Sequence, residues 1–122
     1  MHDGIYRVTF ENEYRRSETG VAVIRGEHLN GADRCFAFSG RITRRPDAVS
    51  VVLRARKVAP GGHAVFDQQP EIIYHLFGHC HAHAFALSGS TPDGLARVIH
   101  LQGVRLSGLD LEPAEPARSA DP

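Results

Sequence analysis

The period of two in "GIYRVTF", residues 4–10, is the feature that most limits what this chain can fold into. Tyr6, Val8 and Phe10 fall on one face and Ile5, Arg7 and Thr9 on the other, the pattern of a half-buried strand. The same period returns along the chain. "TGVAVIRG", bounded by Gly20 and Gly26 after a polar loop of Arg15, Arg16 and Ser17, is rich in β-branched residues and pairs with the first strand as a hairpin. "EHLNGAD" then predicts a very short strand and a tight Asn30-Gly31 turn, since those two residues best tolerate positive φ.

"DRCFAFSGRIT" puts Phe36, Phe38 and Ile42 on one face, and "RRPD" turns the chain into "AVSVVLRARKV", where Val49, Val51, Leu53 and Ala55 alternate with Ser50, Arg54 and Arg56. Only Val52 breaks that alternation. After "APGGHAVFDQQP" come "EIIYHLFG", "HAFALSG" and the long "LARVIHLQGVRL", in which Gly103 suggests a bulge. Apolar residues nowhere keep helical spacing over three turns, although "HAVFDQQ" has room for one helical turn before Pro70. The expectation is an all-β domain over residues 1–106: an antiparallel up-and-down barrel of about eight strands, lipocalin-like, because closure removes exposed edges. Residues 107–122, rich in Pro, Ala and charge, read as a flexible tail.

Charge narrows the class of partner. The 14 basic and 14 acidic side chains cancel, which argues against direct nucleic-acid binding and against an anionic membrane surface. No apolar run reaches the ~20 residues of a membrane-spanning helix, and "MHDGIYRVTF" lacks the character of a secretory signal, so a cytoplasmic location is expected. Cys35 and Cys80 read as free packing thiols in that compartment.

Several of these words together resemble one family. "DGIYRVTF", the Gly-bounded second strand, "LNGADRCFAFSGRI", then "LFG", "FALSG" and a closing strand are similar to the GrlR-type negative regulators of type III secretion gene expression, over about Asp3 to Leu106. The resemblance implies a lipocalin-like barrel that acts as a homodimer by protein contact, without catalysis, on a cytoplasmic transcription activator. Recognition in that family is associated with an acidic run between two middle strands. The matching positions here are Arg44, Arg45, Pro46 and Asp47, so the sign of the charge is largely reversed. Charge complementarity governs partner choice, and the partner therefore does not carry over. Arg44, Arg45, Asp47, Arg54 and Arg56 are the expected partner-binding residues, gathered into a basic patch if the hairpin brings them together.

Two other readings stay open. Tyr6, Val8, Phe10, Phe36, Phe38, Val51 and Leu53 face the predicted lumen, where they form either an ordinary core or the lining for one small apolar ligand. "FGHCHAHAF" offers His79, His81 and His83 as metal ligands. A continuous strand over 71–88 exceeds the usual ~5–6 residues, so a turn is expected at Gly78, Cys80 and Ala82, with the histidines on and beside its tip. On a straight strand His75, His79, His81 and His83 would share a face, and Cys80, Asp67 or His100 would have to complete a zinc site. No HExxH, paired CxxC, GxSxG elbow or phosphate-binding glycine loop is present, so neither catalysis nor a cofactor is expected.

Overall fold

The computed structural model describes residues 1–66, 70–92 and 98–109. Eight strands follow in order: β1 (Gly4–Asn12), β2 (Ser17–Arg25), β3 (His28–Ala32), β4 (Phe36–Arg44), β5 (Val49–Lys57), β6 (Glu71–Cys80), β7 (Ala84–Ser90) and β8 (Ile99–Ser107). Each pairs antiparallel with its neighbour in sequence, and β8 returns to β1, so the sheet closes as an up-and-down barrel. The expected fold class is the one found.

The alternation read from the sequence sets which residues meet inside. Tyr6, Val8 and Phe10 of β1, Phe36, Phe38 and Ile42 of β4, and Val49, Val51, Leu53 and Ala55 of β5 are all buried. Val52 points outward and is half exposed, consistent with its place on the Ser50, Arg54 and Arg56 face.

Three local expectations are corrected. Asn30-Gly31 is not a turn; both residues lie inside β3, and the chain reverses at Asp33–Cys35. Gly31 is needed for a different reason, because a β-carbon there would run into the Val21 carbonyl and the ring of Phe38. The turn after β6 falls at His81–His83, so Gly78 and Cys80 belong to the strand, opposite Leu87 and Phe85. Gly103 is not a bulge: it pairs in register with Val8 and Phe85, and the ring of Phe85 occupies the space a side chain would fill. The irregularity of β8 sits at Leu106, left over where the register moves from Ile5–Ser107 to Tyr6–Arg105.

Residues 64–66 form bends where one helical turn was expected from residue 63, while the remainder of that turn, residues 67–69, and the tail beyond 109 lie outside the described residues. Among the described residues no helix is long and apolar enough to cross a membrane. Both cysteines are free, Cys35 buried and Cys80 partly buried against the core.

Candidate functional site

Four regions were open to function: the lumen, the two ends of the barrel and the outer wall. The seven residues expected to line the lumen are indeed inside, each 3% exposed or less. Their rings pack on one another across the interior. Phe10 meets Phe38 and Phe66 edge-on at centroid separations of 5.0 and 4.8 Å, Phe36 meets Phe66 at 5.0 Å, and Phe66 leans on Tyr74 at 5.9 Å. Tyr6 and Phe85 pair at 5.6 Å lower down. Eight-stranded barrels are just wide enough for such side chains to fill. Burial pushes the Tyr74 hydroxyl up to about 12, since no water stabilises its ionised form there.

The upper end, where Ala32–Phe36 and the Lys57–Glu71 connection lie, is stoppered by the chain itself. Val65 and Phe66 drop into the mouth, and a set of buried polar contacts holds them there. Asp33 Oδ1 accepts from the amides of Cys35 (2.9 Å) and Phe36 (2.8 Å), which shapes the β3–β4 turn. Its Oδ2 meets His63 Nε2 at 2.6 Å, and the two side chains are 0% and 1% exposed. His63 Nδ1 accepts from the amides of Val65 (3.2 Å) and Phe66 (2.9 Å), so the ring proton sits on Nε2 and is donated to the carboxylate. The His63 ring also stacks on Phe66, 4.6 Å away and 5° from parallel.

An Asp–His pair invites comparison with a catalytic dyad, but a catalytic imidazole needs one nitrogen aimed at substrate. Here both are used internally. Glu18 completes the stopper: it takes two bonds from Arg34 (2.7 and 3.3 Å) and one from the Ala64 amide (2.9 Å). The Arg34 hydrogen bonds hold the Glu18 carboxyl below the usual carboxylate range. Asn12 Nδ2 donates to the Ala64 carbonyl, and the Cys35 thiol lies 3.7 Å from the carbonyls of Pro60 and Gly62.

The lower end gathers Met1–Asp3 and the β2–β3, β4–β5 and β6–β7 turns. Arg105 donates twice to the Asp3 carbonyl (3.0 and 2.9 Å), and Arg44 donates to the carbonyls of Gly26 (2.8 Å) and Met1 (3.4 Å). Tyr6 donates its hydroxyl to the His2 carbonyl at 2.6 Å, and burial raises that hydroxyl above its ordinary range. A groove of about 510 Å³ among His2, Asp3, Arg25 and Arg105 opens at this end.

A larger groove of about 790 Å³ crosses the outer wall from β5 to β1. Its floor is made of the small outward side chains of Ala86, Ser88 and Ser50 and the backbone at Gly78, brought side by side by the register of β5, β6 and β7. Phe77 stands in it 63% exposed. Arg45 and His79 border one end, and Glu11 lies beside His100, its cross-strand partner, at the other. Its volume is within the ~300–1,000 Å³ of ligand sites.

The expected partner-binding residues divide between the β4–β5 turn and the upper half of β5. Arg44, Arg45 and Asp47 sit at the lower turn, where the Asp47 carbonyl lies 3.0 Å from His79 Nδ1 and Arg45 enters the large groove. Arg54 and Arg56 lie in the upper half of the strand, Arg54 paired with Glu71 at 3.1 Å and beside a smaller groove with Arg41, which lies 3.7 Å from Glu27. Arg44 pairs with Val49, and five strand positions separate Val49 from Arg54, about 17 Å at ~3.4 Å each. The structure thus places them in two separate groups.

The histidines lie at the β6–β7 tip, with His79 ending the strand and His81 and His83 in the turn, where the ring of His83 packs edge-on against His2 at 5.7 Å. Among the described residues no three His, Cys, Asp or Glu side chains come together to hold a metal ion; Asp67 lies outside that set.

No protein-family model and no curated protein matches the chain. The site therefore has to be read from its geometry.

Proposed function

We propose that this barrel is a non-enzymatic regulatory interaction protein whose working surface is its outer wall, and that its partner is a cytoplasmic transcription regulator. One observation carries the choice of surface: the described lumen residues pack on one another's rings beneath a stopper of His63, Val65 and Phe66, while the 790 Å³ groove with its exposed Phe77 lies outside. A small apolar ligand would have to displace those rings. The regulatory part of the reading, and the homodimer that goes with it, are supported by the resemblance of "DGIYRVTF" and "LNGADRCFAFSGRI" to GrlR-type regulators.

Affinity purification from the native cell tests the proposal, with Arg44→Glu/Arg45→Glu as the control. Recovery of a transcription regulator by the unaltered chain, and its loss with the charge-reversed variant, is the expected result. Identical protein profiles from the two baits would refute it.

A further inference from the structure

The outer groove has opposite charge at its two ends. Arg45, on the turn into β5, makes no side-chain hydrogen bond or ion pair among the described residues, and neither does Glu11 on β1. Between β5 and β1 lie β6, β7 and β8, so the path along the curved wall from one end to the other crosses four strand spacings, about 19 Å of arc at ~4.8 Å each. That distance corresponds to about six residues of extended chain at ~3.3 Å per residue. The apolar surface in the middle of the groove is Phe77 as a wall with Gly78 and Ala86 in the floor, flanked by the hydroxyls of Ser50 and Ser88.

A charged end group, an apolar trough and an opposite end group together define complementary chemistry. Resting on the interaction-protein reading above, we infer that the groove receives an extended peptide segment of about six residues from a protein partner, acidic at the end that meets Arg45 and His79, apolar in the middle against Phe77, and basic at the end that meets Glu11. Unpaired end charges select such a segment over uniformly charged ones, because like charges brought together at an interface are costly. The strands beneath are fully paired in the closed sheet, so affinity comes from side chains and not from added strand pairing.

Fluorescence anisotropy with labelled hexapeptides tests this on the full chain. The reference probe is Glu-Leu-Phe-Leu-Ser-Lys; companions carry Lys at both ends, Glu at both ends, or Ser in place of the three apolar residues. The reference should bind saturably, with a tenfold or greater advantage over each companion, about 1.4 kcal/mol or more. Arg45→Glu should weaken the reference about tenfold and bring the Lys-ended companion up to at least equal affinity, and Phe77→Ser should weaken every apolar probe. Both side chains are exposed, so far-UV circular dichroism should be unchanged. Equal binding of all four probes, no saturable binding, or indifference to both variants would overturn the inference. Sedimentation showing that Phe77→Ser converts a dimer into a monomer would also overturn it, by giving the trough to a second copy of the chain. Failure of the peptide series with intact Arg45-dependent capture of a regulator sinks the groove chemistry alone; the reverse outcome sinks the regulatory reading alone.

Discussion

The two ends of this barrel use polar groups in opposite ways. At the upper end charged groups face each other or buried amides: Asp33 takes His63 and two backbone N–H groups, and Glu18 takes Arg34 and the Ala64 amide. Their acceptor oxygens are all used within the fold, and the Glu18 charge is offset by Arg34. At the lower end Arg44 and Arg105 are held by backbone carbonyls of Met1, Asp3 and Gly26, neutral acceptors that fix a guanidinium without cancelling it. A closed β-cylinder has two chemically distinct mouths, one sealed for stability and one that keeps its field for whatever approaches.

The largest effect should come from the stopper. Phe66→Ala removes a ring that touches Phe10, Phe36, His63 and Tyr74, and should cost about 3–5 kcal/mol in urea unfolding. A loss under about 1 kcal/mol would mean that the mouth is not part of the cooperative core. Asp33→Ala should follow at about 3 kcal/mol, since it strands a buried imidazole N–H and two turn amides. Asp33→Asn should recover little of this: the Oδ1 acceptor survives, but an amide N–H₂ would face the His63 N–H.

Next in size is a pH effect centred on Tyr74. Its folded pKa of about 12 exceeds the ordinary value of 10.0, so the unfolded chain releases the proton first. Stability from this group is full below pH 10 and declines as the pH climbs through 12. Urea midpoints between pH 9 and 11 should fall in the unaltered protein and fall less in Tyr74→Phe. The smallest effect belongs to the lower end. Arg44→Ala loses two bonds to exposed carbonyls, and a change of about 0.5–1 kcal/mol is expected by the same urea assay. A cost comparable to that of Asp33→Ala would erase the contrast between the ends.

Most of the barrel was legible because alternation is local. Tyr6, Val8 and Phe10 announce their face within seven residues, and no partner is needed to read it. The turns were harder, because glycine has two uses. Gly31 looked like a turn residue, but its role depends on Phe38 across a strand pair, which the local sequence does not reveal. The stopper was missed for a similar reason: His63 and Asp33 are thirty positions apart, and only the closed fold makes them neighbours. "DRCF" and "HAVF" did carry a signal, a carboxylate ahead of two turn amides and a histidine two and three residues before amides it can cap. The wall groove left even less trace. Its floor comes from single small residues on separate strands, and of its bordering residues Arg45 had been singled out for partner contact and His79 and His100 for metal.

The seam between β1 and β8 ties residues 4–12 to residues 99–107. On a ribosome, therefore, the first strand made must wait for the last, and until about residue 107 has cleared the exit tunnel β1 carries an open row of backbone donors and acceptors that a neighbouring nascent chain can capture.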